Sequence, residues 1–291
     1  MAERQTTAVF ALTLNALVWG LSWWPFRALH EQGVHPLWAT AVVCLTSFAV
    51  FLALKPAGLR AFARQPLLWL LALAAGLTNV GFNWAVTVGD VVRVVLLFYL
   101  MPAWSVLLAW LLLGDRPSGA ALLRLLVALA GVATILDTGG SGVPWPRTLA
   151  DGLALVGGFS FALTNVLLRK LNAEPAAARV LAMFGGGTVL AGGVAMAGLL
   201  QGSIPGLPAP SSDWLLLVAV LSAGFLAANL ALQYGAARLA AHTTALVMLS
   251  EVVFASFSSI ALGASELTTR TIVGGLLILA AAAWSAWPRR D

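Results

Sequence analysis

Apolar residues fill ten successive segments of this chain, and short polar connections separate them. A helix needs roughly 20 residues to cross the ~30 Å hydrocarbon core of a bilayer, and each segment is long enough for one crossing. The predicted transmembrane helices span residues 7–29, 35–54, 66–88, 90–112, 118–137, 148–171, 176–200, 211–234, 240–262 and 268–288. The pattern therefore predicts an all-α integral membrane fold with ten transmembrane helices.

Composition supports this fold class. Hydrophobic residues make up 60% of the 291 residues and charged residues only 9%, whereas about a quarter of the residues are charged in soluble domains. The first apolar segment is longer than the apolar core of a signal peptide, so we expect it to be retained as a helix. The single cysteine, Cys44, excludes a disulfide framework.

The distribution of basic residues predicts the orientation in the membrane. With the N-terminus in the cytoplasm, twelve lysines and arginines fall on the cytoplasmic side, while Arg27, Arg93, Arg147 and Arg270 fall on the other. Because this bias sets orientation, both termini are expected to be cytoplasmic. The basic residues form no stripe on a soluble surface, so nucleic acid is not an expected partner. Arg93 follows Asp90 by three positions, which predicts a surface ion pair.

An internal repeat divides the chain. Residues 16–23 (ALVWGLSW) and 154–161 (ALVGGFSF) share five identities in eight positions at an offset of 138. These are the first and sixth segments, so the ten helices divide into two repeats, 1–140 and 141–291. Five is an odd number, so the two five-helix repeats are expected to be inverted in the membrane. Secondary transporters are often built this way, with their substrate site near the midplane.

Glu251 lies at the centre of the ninth segment. A charged residue at this depth costs about 2.5–3.5 kcal/mol on insertion scales, so it should face the bundle interior or a wet cavity. It is a candidate proton carrier or partner for a substrate ammonium group; the alternative is a structural hydrogen bond between helices. At an offset of 149, Pro102 of the fourth segment aligns with Glu251.

Amides and aromatic residues share helix faces in several segments. An amide on an aromatic face suits an amphipathic solute, because aromatic rings stack on flat solutes and attract ammonium groups. The alternatives are hydrogen bonds between helices and core packing. The predicted substrate-binding residues are Asn15, Trp19, Trp23, Asn79, Phe82, Asn83, Tyr99, Trp104, Phe161, Asn165 and Glu251.

Three residues are predicted to act in gating or as hinges. Pro25 and Pro102 each remove one backbone hydrogen bond within a segment, which favours a bend there. His242 begins the ninth segment and is a candidate gate or proton relay, with a solvated helix end as the alternative. No phosphate-binding loop, His-Glu-x-x-His motif or paired cysteine motif occurs, so we expect no cofactor and no bound metal.

The segment from Pro102 to Asp115 (PAWSVLLAWLLLGD) runs from a proline to a Gly-acid pair. Together with Trp19-Gly20 and the two sets of five helices, it resembles the EamA-type members of the drug/metabolite transporter superfamily over essentially the whole chain. Asp115 stands where glutamate is usual, and Glu251 stands where proline is common in that family. The aromatic-rich helices further resemble the YddG-type aromatic amino-acid exporters.

The resemblance implies an exporter of amino acids, aromatic ones favoured, and of related amphipathic metabolites across the bacterial inner membrane. It implies a central cavity between the repeats, alternating access and a small-molecule partner in a lipid bilayer, without enzymatic activity. A multidrug or nucleotide-type metabolite carrier is the alternative within transport, and a membrane-embedded enzyme or lipid-handling scaffold is the alternative outside it. Proton coupling and facilitated diffusion both remain open, as do the monomer and the homodimer.

Overall fold

The computed structural model describes residues 2–114, 118–137, 146–236, 238–239, 244 and 247–286. All secondary structure in these residues is helical. The helices are α1 (Ala2–Leu21), α2 (Trp23–Glu31), α3 (Pro36–Leu54), α4 (Ala57–Arg64), α5 (Pro66–Val88), α6 (Val91–Phe98), α7 (Met101–Leu113), α8 (Gly119–Leu136), α9 (Leu149–Lys170), α10 (Ala176–Leu200), α11 (Ser212–Ala236), α12 (Ser250–Ala261) and α13 (Thr269–Ala286).

The observed helices follow the predicted segments closely. Eight helical stretches in the described residues are long and apolar enough to cross a membrane, and the shorter apolar helices Ser250–Ala261 and Thr269–Trp284 lie in the ninth and tenth segments. The all-helical membrane fold is therefore confirmed, while the count of ten crossings stays a prediction. The short helix α4 was not predicted; it buries Gly58 and Phe62 and links α3 to α5.

The first and fourth segments are each broken into two helices. The first breaks at Ser22, whose hydroxyl donates to the carbonyl oxygen of Trp19 at 2.8 Å. Pro25 follows three residues later, in the first turn of α2. The fourth breaks at Tyr99 and Leu100, directly before Met101 and Pro102 at the start of α7. Because a proline has no N–H for the carbonyl four residues back, both breaks lie where the prolines predict them.

Helix packing relates the two halves of the chain. The first segment (α1) packs on α11 and α12, and the sixth (α9) packs on α5, α6 and α7. These contacts are equivalent: in each half, the first segment packs on the third and fourth segments of the other half. In the same way, α5 packs on α10 and α11 packs on α3, while α3 contacts α10 and α8 contacts α13.

The glycines of the repeated sequence explain two close helix crossings. A Cβ atom at Gly20 would lie 2.8 Å from the carbonyl oxygen of Glu251, and one at Gly158 would lie 2.5 Å from that of Phe98. Each glycine thus lets the first helix of one half touch the fourth helix of the other. The sequence repeat at an offset of 138 therefore preserves two close contacts between the halves.

Candidate functional site

A continuous row of aromatic rings crosses the interior and joins both halves. Trp19 stacks on Phe225 of α11, with ring centroids 4.4 Å apart, and contacts Phe82 of α5 edge-on at 6.0 Å. Phe82 meets Phe98 at 4.8 Å, and Phe98 meets Phe161 of α9 at 5.5 Å. We call these five residues the aromatic row. Three of them, Trp19, Phe82 and Phe161, belong to the predicted site.

Tyr99 and Glu251 form a buried polar pair beside the aromatic row. The Tyr99 hydroxyl lies 2.9 Å from the carbonyl oxygen of Met248 and 3.1 Å from Oε2 of Glu251. Both side chains are buried, with 1% and 7% of their surface exposed. A hydroxyl carries one hydrogen, so all three groups are satisfied when a protonated Glu251 donates to Tyr99 and Tyr99 donates to Met248. The prediction that Glu251 faces the interior is confirmed.

Three predicted residues carry a buried polar atom without a hydrogen-bond partner. These atoms are Oδ1 of Asn15, Oδ1 of Asn83 and Nε1 of Trp104. The amide nitrogen of Asn15 donates to the carbonyl oxygen of Ala228 at 2.8 Å, and that of Asn83 contacts Oγ1 of Thr40 at 3.3 Å. An unsatisfied buried polar atom costs about 1–3 kcal/mol and requires an explanation, such as a ligand that completes it.

The other predicted residues occupy varied positions. The indole nitrogen of Trp23 donates to Oγ of Ser258 at 3.0 Å, which joins the two halves. Asn79 donates to the carbonyl oxygen of Ala75 at 2.8 Å within its own helix. Asn165 is exposed, although it lies within the apolar helix α9. It follows Phe161 by four positions and therefore shares that residue's helix face.

The three predicted gating or hinge residues are described to different extents. His242 lies outside the described residues, as does Asp115 of the resemblance motif. Pro102 is described by its helical backbone at the start of α7. Pro25 is buried in the first turn of α2.

A polar cluster joins the halves at one end of the bundle. Nε of Arg93 lies 2.7 Å from Oδ1 of Asp151, and a second guanidinium nitrogen lies 3.1 Å from Oδ2. Arg27 donates to the carbonyl oxygens of Val86, Gly89 and Ala264. We call Arg27, Arg93 and Asp151 the polar latch. The predicted surface pair of Arg93 with Asp90 is wrong, because the Asp90 carboxylate instead accepts the backbone N–H groups of Arg93 and Glu266.

Sequence reasoning missed two further amides, both on α11. Asn229 and Gln233 lie four residues apart on α11, and Nε2 of Gln233 donates to Oδ1 of Asn229 at 2.8 Å. Both are partly exposed within an apolar helix. The signal that reveals them is the spacing of two amides by four residues, which also occurs at Asn79 and Asn83.

A narrow cleft lies beside Tyr99, between α7, α8 and α13. Its walls are mainly apolar and include Ala103, Leu125 and Ile278, with Arg124 as the basic residue. The free interior volume of about 10 Å³ is about what one water molecule requires. A solute of amino-acid size therefore needs side chains or helices to move before it reaches Tyr99 from this cleft.

Comparison with known proteins identifies the family. The sequence profile described as the EamA-like transporter family matches the chain twice, at residues 6–137 and 148–287. The chain belongs to the EamA-like transporter family. The resemblance drawn from the sequence is thereby confirmed at the level of this family, and each half of the chain carries one copy of the family domain.

Several solved structures have a similar fold to this EamA-like transporter, and one of them is a crystal structure. It covers 96% of this chain and 96% of its own chain, with 21% sequence identity and a TM-score of 0.59. At this identity the similarity concerns the fold alone. None of the curated proteins matches the chain significantly.

Proposed function

We propose that this EamA-like transporter is a secondary transporter that exports amino acids, aromatic ones favoured, across the bacterial inner membrane. The observation that carries the proposal is the set of partnerless buried polar atoms on Asn15, Asn83 and Trp104, close in sequence to the aromatic row. These buried polar atoms are destabilising while they lack a hydrogen-bond partner, and a bound polar solute would supply that partner. An amino acid supplies donors and acceptors together with an apolar side chain.

Substrate charge follows from the buried ionisable groups. Glu251 is the buried carboxyl group beside the aromatic row, and its hydroxyl neighbour Tyr99 is neutral. A carboxyl group among aromatic rings favours an ammonium group and disfavours a strongly anionic solute. Glu251 also provides a site for a proton, which a substrate ammonium group would displace. This exchange gives one route to proton-coupled export.

Alternating access is supported by contacts at the two ends of the bundle. The polar latch brings together the end of the first segment, the start of the fourth and the start of the sixth. At the opposite end Gln65, before α5, donates to Glu174, after α9, at 2.9 Å. These contacts support opposite directions for the first and sixth segments, which an inverted repeat requires.

The latch end is proposed to be the closed one, although Gln65 and Glu174 also join the halves at the other end. At the latch end, the Arg93 to Asp151 pair at 2.7 Å and the hydrogen bond from Arg27 to the carbonyl oxygen of Ala264 both cross between the halves. At the other end, Asn165 is exposed and Gln233 is partly exposed. Arg238, at that end, is one of the residues assigned to the cytoplasmic side, so the protein is proposed to be open to the cytoplasm and closed to the outside.

Reconstituted vesicles test the proposal. We expect labelled phenylalanine to cross faster in vesicles that contain the protein than in protein-free vesicles, and to be recovered chemically unchanged. Alanine, a lipophilic cation and a nucleotide sugar are compared under the same conditions. Transport of the cation or the nucleotide sugar without phenylalanine would instead favour the multidrug or metabolite carrier. A chemically altered product would favour a membrane-embedded enzyme.

A further inference from the structure

A second repeat in the sequence concerns polar residues. The third segment contains Asn79, Asn83 and Trp84 in the spacing N-x-x-x-N-W-A. The eighth contains Asn229 and Gln233 in the spacing N-x-x-x-Q-Y-G, at an offset of 150. Both patterns place two amides one helical turn apart, on the same face. Apolar residues suffice to hold a membrane helix in the bilayer, so the repeated amides require a separate explanation.

The amides of α11 lie between the exposed side and the buried side of this helix. Leu216, Val220 and Leu230 are 54–65% exposed and mark the lipid-facing side of this helix. At 100° per residue, Asn229 lies about 140° away from these three residues. Gln233 lies about 100° away, on the same face as Leu215, which is 47% exposed near the other end of the helix. Amides within a membrane segment face protein or a water-filled cavity. We therefore infer that the partly exposed surface of these two amides faces an aqueous vestibule between the helices.

The two amide pairs lie toward opposite ends of the bundle. Asn83 precedes Val86 and Gly89 on α5, whose carbonyl oxygens accept hydrogen bonds from Arg27 of the polar latch. Gln233 precedes Gly235, which packs against Leu12 near the start of α1. At the latch end Asn83 is 0% exposed, whereas Asn79, one turn nearer the middle of the helix, is partly exposed. At the other end both Asn229 and Gln233 are partly exposed.

The accessible pair retains hydrogen-bonding capacity. The bond from Gln233 to Asn229 uses one donor hydrogen and one acceptor. A carboxamide offers two donor hydrogens and an acceptor oxygen with two lone pairs. The Nδ2 group of Asn229 and Oε1 of Gln233 therefore present one donor group and one acceptor to the vestibule. This combination matches the carboxylate and ammonium groups of a zwitterion.

We propose that Asn229 and Gln233 bind the polar head of the substrate in the state seen here, and that Asn79 and Asn83 bind it in the opposite state. The inference rests on the proposed function and deepens it by naming the residues that hold a zwitterionic head group. The apolar part of the same solute contacts the aromatic row. Opening of the polar latch exposes Asn83 and closes the vestibule at Gln233.

Transport kinetics test the role of the accessible pair. Asn229→Leu and Gln233→Leu each remove hydrogen-bonding groups while keeping a side chain of similar size. We expect the apparent KM for phenylalanine presented on the Arg238 side to rise by about 2- to 10-fold, as for the loss of one hydrogen bond. The conservative variant Gln233→Asn keeps a carboxamide, so its apparent KM is expected to rise less than that of Gln233→Leu. Leu230→Ala, on the lipid-facing side of the same helix, serves as the matched control.

Cysteine labelling tests the alternation without depending on flux. Replacement of Cys44, the single cysteine, gives a thiol-free background. In that background we expect Gln233→Cys to react with a membrane-impermeant thiol reagent from the Arg238 side and to be protected by phenylalanine. Asn83→Cys is expected to react more slowly, and only from the opposite side.

The outcomes separate the two proposals. A wild-type protein that transports no amino acid overturns the proposed function, whatever the labelling pattern. A wild-type protein that transports phenylalanine while both leucine variants keep its KM overturns the role of the amides. Equal labelling of Gln233→Cys and Asn83→Cys from one side overturns the alternation. Thermal stability of each purified variant identifies any that fail to fold, and those are replaced by the corresponding serine variant.

Discussion

The Tyr99 hydroxyl lies 2.9 Å from the carbonyl oxygen of Met248, a residue 149 positions further along the chain. At the offset of 149 that aligns the fourth segment with the ninth, Tyr99 and Met248 occupy equivalent positions. Because equivalent positions of the two halves contact each other here, Tyr99 and Met248 lie at the interface between the halves. Glu251 lies one turn beyond Met248, so it is held at the same interface.

Removal of the carboxyl group is expected to uncouple transport from protons. In Glu251→Gln an amide replaces the group that takes up and releases a proton, and its size is nearly unchanged. We expect phenylalanine flux to become independent of an imposed pH gradient. Tyr99→Phe is expected to reduce flux and to retain part of the response to the pH gradient. The chain has two tyrosines, so Tyr234→Phe serves as the matched control. A Glu251→Gln protein that still responds fully to the gradient contradicts this role.

Disruption of the polar latch is expected to destabilise the closed end. The side chains of Arg93 and Asp151 are 28% and 1% exposed. Removal of one partner from a buried pair costs about 3–5 kcal/mol, and the partial exposure of Arg93 places Asp151→Asn toward the lower value. Thermal unfolding in detergent measures the change. Asp137→Asn is the control, because its pair with Arg270 is about half exposed and such pairs contribute about 0–1 kcal/mol.

The glycine crossing makes a prediction about packing. Gly158→Ala places a Cβ atom 2.5 Å from the carbonyl oxygen of Phe98, and overpacking of this kind costs about 1–3 kcal/mol. We expect lower thermal stability and lower yield of folded protein. Gly152→Ala on the same helix has open space around the new methyl group, so it is expected to be neutral or slightly stabilising. Equal stability of the two variants is inconsistent with a close crossing.

The aromatic row is expected to select the substrate side chain. Trp19 contacts two other rings of the row, whereas Trp24, five residues on, is 57% exposed. Trp19→Ala removes a stacking surface, so the apparent affinity for phenylalanine should fall more than that for alanine, by about 2- to 10-fold for one lost aromatic contact. Competition assays in vesicles measure the ratio. Trp24→Ala should leave this ratio unchanged.

The helical segments were predictable because they depend on local composition. An apolar run of sufficient length favours the bilayer wherever it occurs in the chain, and α5 begins and ends at the predicted residues, Pro66 and Val88. The breaks in the first and fourth segments followed from Pro25 and Pro102 for the same local reason. The short helix α4 was not predicted, because its eight residues are too few to cross the membrane and the apolar pattern predicts only segments long enough to cross.

The partners of the polar side chains were not predictable in this way. Arg93 lies three residues from Asp90, yet its guanidinium pairs with Asp151, 58 positions away. The amides Asn229 and Gln233 were missed, although their spacing repeats that of Asn79 and Asn83.

By itself, then, the sequence determined the membrane class, the family and the positions of the segments, because transfer into lipid is decided residue by residue along the chain. Only the tertiary structure decided that Tyr99 meets Glu251 and Met248, and that Arg93 pairs with Asp151 at one end of the bundle. The physical reason is that a buried polar group must find a partner in space, and that partner is fixed by the packing of distant helices.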